Sequence, residues 1–131
     1  MRRALAAVCA MTVVLGGCKF EFMTPDKEIK AVFQQNIAGM NEESADLTMG
    51  TVHPKSQSYE QMQVLLEEIW KQYDLKTTMT GFQYIGSYGK DYAIAWTEQK
   101  SEKVEGPEFR DNFVSAFTIF RMSEGSWKIW Q

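Results

Sequence analysis

The chain has 131 residues, of which 14 are basic and 17 acidic, and its net charge is −3. An acidic chain lacks the electrostatic attraction on which nucleic-acid-binding proteins depend, so no nucleic acid partner is expected. One histidine and two cysteines are too few for the common structural zinc sites, and no calcium-loop motif is present, so we expect neither a metal nor another cofactor.

The amino-terminal end has the layout of a secretory signal peptide. Arg2 and Arg3 give it a positive start, and residues 4–15 form an apolar run too short to span a bilayer. The next residues, Leu15-Gly16-Gly17-Cys18, resemble the lipobox of bacterial lipoproteins. This resemblance implies that residues 1–17 are removed as a signal peptide and that the Cys18 sulfur is lipidated.

Residues 18–24 would then form a lipidated tether that holds the domain at a lipid bilayer. Phe20 and Phe22 either pack on the domain or enter the membrane interface. Lys19 takes the place of the aspartate that marks inner-membrane retention in enteric lipoproteins. The resemblance therefore implies a location in the bacterial cell envelope, and the outer membrane facing the periplasm if the cell has two membranes. Without Arg2 and Arg3, the mature net charge would be −5.

The mature domain is predicted to begin with three helices. Thr24-Pro25 is a typical helix start, and apolar residues recur at helical spacing as far as Met40. Asn36 falls within this apolar face, either as a hydrogen-bonded core amide or as a polar group that lines a pocket. A short second helix is predicted to end at Gly50, and a loop around His53-Pro54 follows it.

The third predicted helix has the most pronounced amphipathic pattern. It begins at the capping box Ser58-Tyr59-Glu60-Gln61 and ends at about Tyr73. Its apolar residues fall within about 140° of one another at the helical 100° per residue. They are Tyr59, Met62, Leu65, Leu66, Ile69, Trp70 and Tyr73. Such a stripe is expected to lie across a sheet, which would bury Leu65 and Ile69 almost completely.

From Asp74 onward the apolar residues recur with a period of two, which predicts strands. The predicted strands cover residues 77–85, 92–99 with a charged extension over 100–105, 109–122 and 127–130. Gly81 inside the first strand indicates a bulge or a bend. The short connections predict an antiparallel meander. We therefore predict one α+β domain over residues 25–131, in which three amino-terminal helices pack on a curved four-stranded antiparallel sheet.

This order of elements, which ends in Gly125-Ser126-Trp127-Lys128-Ile129, resembles the nuclear transport factor 2-like superfamily. Four further segments carry the resemblance: His53-Pro54-Lys55-Ser56, Tyr73-Asp74-Leu75, Tyr92-Ala93-Ile94-Ala95 and Gly106-Pro107-Glu108-Phe109-Arg110-Asp111-Asn112. The resemblance covers about residues 25–131 and implies the cone-shaped, cystatin-like fold of ketosteroid isomerases, scytalone dehydratases and small polyketide cyclases. It implies no particular activity, because this fold carries both enzymes and binding proteins.

An isomerase or dehydratase of this fold is the alternative function. It would need a carboxylate or histidine base in an apolar cavity, and a donor for the developing oxyanion. The candidate bases are Asp46, His53 and Asp74, and the candidate donors are Tyr59, Tyr73 and Tyr92. Each candidate base also has an ordinary structural explanation, as a solvated helix residue, a loop residue or a turn residue. No catalytic residue is assigned, because no motif is specific enough.

The preferred function is a membrane-anchored, non-catalytic module that binds another protein or a small ligand. A lipid anchor would concentrate such a domain near other envelope proteins. A cavity between helices and sheet would suit a small apolar ligand. The candidate ligand-binding residues are Asn36, Tyr59, Trp70, Tyr73 and Trp96. The four aromatic side chains in this set would otherwise fill the core.

Apolar residues lie on both faces of the predicted sheet. In the second strand Tyr92, Ile94 and Trp96 point one way, and Ala93 and Ala95 point the other. A sheet covered on one side alone is expected to have a polar free face. Whichever set meets the helices, the other leaves an apolar patch that favours a homodimer or an envelope protein partner. The alternatives are that bulges shift the alternation, or that the tether and the aliphatic stems of Lys or Arg side chains such as Arg121 cover the patch.

Overall fold

The computed structural model describes residues 25–131. The predicted signal peptide of residues 1–17 and the lipidated tether of residues 18–24, with Cys18, lie outside the described residues. The helices are α1 (Pro25–Asn41), α2 (Ala45–Met49) and α3 (Tyr59–Gln72). The strands are β1 (Asp74–Tyr88), β2 (Tyr92–Glu105), β3 (Asn112–Ser123) and β4 (Ser126–Ile129). None of these helices is both long and apolar enough to cross a bilayer.

The four strands form one antiparallel sheet in the order β1-β2-β3-β4, as predicted for a meander. The register between β1 and β2 shifts between Met79 and Gly81 and again between Tyr84 and Gly86. Shifts of this kind are bulges, which bend a strand and increase its twist. The predicted irregularity at Gly81 is therefore confirmed. The order of the elements and the single antiparallel sheet confirm the predicted α+β fold.

The hydrophobic core lies between α1 and one face of the sheet. It consists of Ile29, Phe33, Ile37, Ala93, Ala95, Phe120 and Trp127. Ala93 and Ala95 are fully buried, and they belong to the same buried cluster as Ile29, Phe33 and Ile37 of α1. The alanine face of β2 therefore meets the helices.

Helix α3 does not cover the sheet, contrary to the prediction. None of its residues is buried, Leu65 is 59% exposed and Ile69 is only half-buried. The expected near-complete burial of Leu65 and Ile69 is therefore wrong. The reason is that α1 occupies the inner face of the sheet. Helix α3 contacts the short helix α2 instead and lies near Leu75 and Thr77 at the start of β1. The predicted capping box also fails, because Ser58 forms no side-chain cap hydrogen bond.

Candidate functional site

A cleft of about 250 Å³ lies between α3, the sheet and the β2–β3 connection. Its lining residues are Met40, Leu66, Ile69, Trp70, Tyr73, Leu75, Thr77, Gln99, Ser101, Phe109 and Asn112. Most of these side chains are apolar or aromatic, and the others are uncharged polar groups. This composition is typical of sites that bind small molecules.

One face of α3 forms the apolar wall of the cleft. Leu66, Ile69, Trp70 and Tyr73 have the spacing i, i+3, i+4 and i+7, which places them on the same side of a helix. Tyr73 ends the helix with an extended backbone, and its N–H donates to the Ile69 carbonyl over 2.9 Å. The chain therefore leaves α3 at Tyr73 and enters β1 at Asp74, next to the cleft. Trp70 and Tyr73, two of the five predicted ligand-binding residues, line it.

A row of polar side chains crosses three strands on the opposite wall. Thr77 of β1 pairs with Ser101 of β2, which pairs in turn with Asn112 of β3. The Thr77 and Ser101 hydroxyls lie 3.0 Å apart. Asn41 joins the end of α1 to this row, since its Oδ1 accepts from the Thr77 N–H over 2.7 Å and its Nδ2 donates to the Thr77 carbonyl over 2.8 Å. These bonds fix the row against the end of α1.

The β2–β3 connection forms the outer wall. Gly106 has a φ of +123°, and a methyl group placed on it would lie 2.6 Å from the carbonyl oxygen of Gln72. Only glycine lets the connection pass this close to the end of α3 in this conformation. A little further on, the ring of Phe109 packs against that of Tyr73, with centroids 5.4 Å apart and an interplanar angle of 57°.

The two candidate carboxylate bases lie outside the cleft. Asp46 is exposed on α2, where it borders a separate groove beside α1. Asp74 is exposed at the first position of β1, in a surface depression shared with Glu43 and Glu105. Of the eleven residues that line the cleft, none is acidic, basic or histidine. Within residues 25–131, no three His, Cys, Asp or Glu side chains gather closely enough to hold a metal ion.

The third candidate base, His53, is buried away from the cleft and is 4% exposed. The backbone N–H of His53 donates to the Ile129 carbonyl over 2.8 Å, and this bond joins the loop after α2 to β4. Its ring Nδ1 accepts from the Lys55 N–H over 3.0 Å. The imidazole also stands edge-on against the indole of Trp130, with centroids 5.0 Å apart. These contacts give His53 a structural role.

The surroundings of His53 keep its side chain neutral. Burial lowers the pKa of His53 below its ordinary value, and the positive charge of Arg121 lowers it further. The charges of Lys55 and Lys128 act in the same direction, while the backbone of Met122 opposes them. A buried imidazole surrounded by cations is unfavourable in its protonated form.

The three other predicted ligand-binding residues lie elsewhere. Asn36 was predicted to be either a hydrogen-bonded core amide or a polar group that lines a pocket. It is a core amide, because it is buried and its Nδ2 donates to the Thr51 hydroxyl over 2.8 Å. Tyr59 lies half-buried in the first turn of α3 and does not line the cleft. Trp96 projects from the other face of the sheet, where its ring packs edge-on against that of Phe117 at 5.1 Å.

The sequence interpretation missed the polar row and the outer wall. The available signal was the alternation of β2, because Gln99 and Ser101 continue the inward positions of Ala93, Ala95 and Thr97. The position of Asn112 depends on how β3 pairs with β2, and that of Phe109 on the path of the connection between them. The alternation of residues in β2 specifies neither.

The face of the sheet away from α1, here called the open sheet face, is rich in aromatic and apolar groups. It carries Tyr92, Ile94, Trp96, Glu98, Lys100, Phe113, Ser115, Phe117, Ile119 and Arg121. Phe113 is 63% exposed and Phe117 is 65% exposed. At one end the Arg121 guanidinium lies over the rings of Trp130 and Tyr92, at 4.5 and 5.5 Å from their centroids. The guanidinium covers that end only, and Phe113 and Phe117 stay exposed.

Residues 31–131 match the sequence model of a family described as the anti-sigma-I factor RsgI9, C-terminal domain. This match spans most of the chain. No curated protein matches the chain.

Solved structures with the same fold come from several bacteria. A nuclear transport factor 2-like protein of unknown function from Shewanella oneidensis MR-1 has a TM-score of 0.63 at 10% identity, over 82% of this chain and 95% of its own. An uncharacterized cystatin-like protein from Caulobacter vibrioides has a TM-score of 0.66 at 13% identity, over 79% and 83%. A candidate dehydratase of the nuclear transport factor 2-like family from Streptomyces avermitilis has a TM-score of 0.64 at 15% identity, over 82% and 94%. At these identities the likeness shows the fold alone, and it confirms the predicted nuclear transport factor 2-like, cystatin-like fold.

Proposed function

The chain belongs to the family of the anti-sigma-I factor RsgI9 C-terminal domain, and we propose that it is a non-catalytic interaction module of the bacterial cell envelope. The signal-peptide layout and the Leu15-Gly16-Gly17-Cys18 segment support secretion and lipidation of Cys18. Lys19 after the lipidated cysteine supports the outer membrane, facing the periplasm, if two membranes are present.

The open sheet face carries this proposal. Phe117 is 65% exposed, although the register places it directly opposite Trp96 on the neighbouring strand. The hydrogen-bonded pair of Glu98 and Ser115 lies between Phe117 and Phe113 on this face. Monomeric proteins seldom leave large apolar surfaces exposed to water. Exposed aromatic groups beside arginine are typical of protein interfaces. A second protein surface on this face would remove the exposed rings of Phe113 and Phe117 from water.

A second copy of the domain is the partner that fits this face best. Symmetric dimers use the same patch on both subunits, so the patch must complement itself. The open sheet face carries an anion, Glu98, as well as two cations, Lys100 and Arg121. Lys100 is already paired with Glu102 and Asp111 of its own chain. Two copies related by a two-fold axis can therefore place Glu98 of one copy beside Arg121 of the other. Glu98 is also held in place, since it accepts from the Thr80 hydroxyl over 2.8 Å and from the Ser115 hydroxyl over 3.0 Å.

The enzymatic alternative has less support. An isomerase or dehydratase needs a base within hydrogen-bond reach of its substrate, and neither Asp46, His53 nor Asp74 lines the cleft. The candidate dehydratase from Streptomyces avermitilis is 15% identical to the chain, which is too distant to transfer a reaction.

The test is sedimentation of the soluble chain that begins after Cys18. At about 50 µM, well above the dissociation constant of a stable dimer, we expect a dimer for the native sequence and a monomer for Phe117→Glu. Leu65→Glu is the matched control, because Leu65 is exposed to a similar degree, 59% against 65%, but lies on α3. It should sediment as a dimer. A native chain that is monomeric at this concentration would contradict the proposed pairing, as would a dimer unaffected by Phe117→Glu.

A further inference from the structure

We propose that the exposed side of α3 binds an amphipathic, positively charged helix of another protein. This side, here called the α3 outer face, consists of Glu60, Gln61, Val64, Leu65 and Glu68. The proposed pairing uses the open sheet face instead, so this inference goes beyond the pairing and does not depend on it. Three features of the α3 outer face support it: exposed aliphatic side chains, helical spacing and the sign of the charges.

The α3 outer face leaves aliphatic surface in water. Val64 is 61% exposed and Leu65 is 59% exposed. The other side of the helix, which carries Leu66, Ile69 and Trp70, is half-buried. Helix α3 therefore has apolar groups both on the side that packs and on the side that does not. A surface helix normally keeps its solvent side polar, so Val64 and Leu65 indicate a contact with another molecule.

The α3 outer face has the spacing that pairs of helices use. Four of its residues stand at i, i+3, i+4 and i+7, which places them in one stripe of about two turns. They are Gln61, Val64, Leu65 and Glu68. A partner helix can place its own side chains between those of such a stripe. The two aliphatic groups lie at the centre and the polar groups at the ends, which is the usual arrangement of a protein interface.

The charges of α3 favour a basic partner. The helix carries three carboxylates, Glu60, Glu67 and Glu68, and one cation, Lys71. Lys71 is already paired with Glu68, with Nζ 2.7 Å from the carboxylate. Among residues 25–131, neither Glu60 nor Glu67 forms an ion pair. Their negative charges would attract lysine or arginine on the flanks of a partner helix and repel an acidic helix.

The same charges disfavour two other occupants. A second copy of the domain would place one acidic helix against another, and like charges across an interface act against association. An anionic bilayer would be repelled as well, since helices that lie on membranes carry lysine and arginine on their polar face. A basic amphipathic helix is therefore the occupant that complements both the aliphatic centre and the carboxylates.

The experiment uses two designed helical peptides that differ in charge alone. Both have about 21 residues, above the length at which isolated helices are marginal in water, with leucine at heptad positions a and d and alanine at b, c and f. One peptide carries lysine at e and g, and the other carries glutamate. Binding to the chain from residue 18 with Cys18→Ala is measured by calorimetry and located by amide chemical shifts. We expect saturable binding of the lysine peptide with shifts on α3, and binding of the glutamate peptide at least tenfold weaker.

Two substitutions that add the same charge test the aliphatic contact. Leu65→Glu should weaken binding of the lysine peptide at least tenfold, although the new carboxylate would by itself attract lysine. Ile85→Glu is the matched control, because Ile85 is 52% exposed but lies on β1. It should change binding less than twofold. Both side chains are exposed, so both variants should fold.

Two double variants with equal net charge test the carboxylates. Glu60→Lys with Glu67→Lys should weaken binding of the lysine peptide at least tenfold, because like charges would then meet. Asp91→Lys with Glu124→Lys is the control. These residues lie in the turns before β2 and before β4, at the end of the sheet away from α3. The control should change binding less than threefold.

Four results would overturn the inference. They are no saturation by the lysine peptide at about 1 mM, the weak end of specific binding, equal affinity for the two peptides, equal losses in Leu65→Glu and Ile85→Glu, and loss of the dimer in Leu65→Glu, which would place a second copy on the α3 outer face. Phe117→Glu should leave binding of the lysine peptide unchanged whether or not the domain pairs. Failure of this inference is therefore distinguishable from failure of the proposed pairing.

Discussion

The imidazole of His53 stands at 89° to the indole of Trp130, with ring centroids 5.0 Å apart. Trp130 is held in turn, because its carbonyl accepts from the Ser56 hydroxyl over 2.8 Å and its ring lies under the Arg121 guanidinium. The single histidine of the chain is therefore part of the contact between the loop after α2 and the last strand. Protonation at this position would place a positive charge beside Arg121.

The stability of the domain should therefore fall as the pH decreases through about 6.5, the ordinary histidine pKa. Burial and the charge of Arg121 lower the pKa of His53 in the folded chain. The unfolded chain then binds the proton first, so the contribution present above about pH 6.5 is lost as the pH falls. Urea unfolding at pH 7.5 and pH 5.5 should show this loss in the native sequence.

A His53→Gln variant is the control for this prediction. Glutamine does not titrate, so the free energy of unfolding of the variant should change much less between pH 7.5 and pH 5.5. Carboxylates titrate mainly below this range. Equal pH dependence in the native sequence and the variant would assign the effect to other groups.

The two faces of β3 provide a matched pair for testing the core. Phe120 is fully buried beside α1, whereas Phe117 is 65% exposed on the open sheet face. Phe120→Ala should lower the free energy of unfolding by about 3–5 kcal/mol, because it removes a buried ring and leaves a cavity. Phe117→Ala removes only the edge-on contact with Trp96, so at protein concentrations low enough for a monomer it should change the free energy of unfolding by about 1 kcal/mol or less. Chemical denaturation of both variants measures the difference, and similar losses would contradict the assignment of the two faces.

The sequence predicted the number, type and order of the elements, but not which helix covers the sheet. Amphipathic periodicity shows that α3 has an apolar face without showing what that face contacts. The decisive residues were Ala93 and Ala95, which lie in one buried cluster with Ile29, Phe33 and Ile37 of α1. Both faces of β2 are apolar, so the pattern alone left the choice open. Competition between two helices for one sheet face is a tertiary effect that local periodicity does not contain.

The candidate site was predictable only where it depends on one helix. Trp70 and Tyr73 came from the apolar stripe of α3, and both line the cleft. The row formed by Thr77, Ser101 and Asn112 requires the register of three strands, which also depends on the bulges of β1. These pairings join residues far apart in the sequence.

The proposed lipid anchor on Cys18 predicts how the protein partitions between detergent and water. Cys18→Ala should move the protein from the detergent phase to the aqueous phase, because two or three acyl chains hold a protein stably at a bilayer and their loss leaves no comparable anchor. Cys9→Ala is the control, since Cys9 lies within the predicted signal peptide and should not affect partition. Phase separation of whole-cell extracts measures both. Detergent partition of Cys18→Ala at the native level would show that Cys18 does not carry the anchor.

Gly106 should be the glycine whose substitution disturbs the cleft. Its φ of +123° and the 2.6 Å approach of an added methyl group to the Gln72 carbonyl oxygen mean that alanine must displace the β2–β3 connection. We expect Gly106→Ala to destabilise the fold by about 1–3 kcal/mol, the usual range for a residue held in such a conformation. The displacement should also separate Phe109 from Tyr73, and amide chemical shifts of both residues should report it.

Gly86→Ala is the matched control, because an added methyl group there meets nothing within 4 Å and the backbone does not have a positive φ. Gly86 also lies toward the opposite end of β1 from the cleft. Its replacement should change the free energy of unfolding by less than about 1 kcal/mol and leave the shifts of Tyr73 and Phe109 in place. If Gly106→Ala is as well tolerated as Gly86→Ala, the connection must be free to move away from α3, and the cleft has no fixed outer wall.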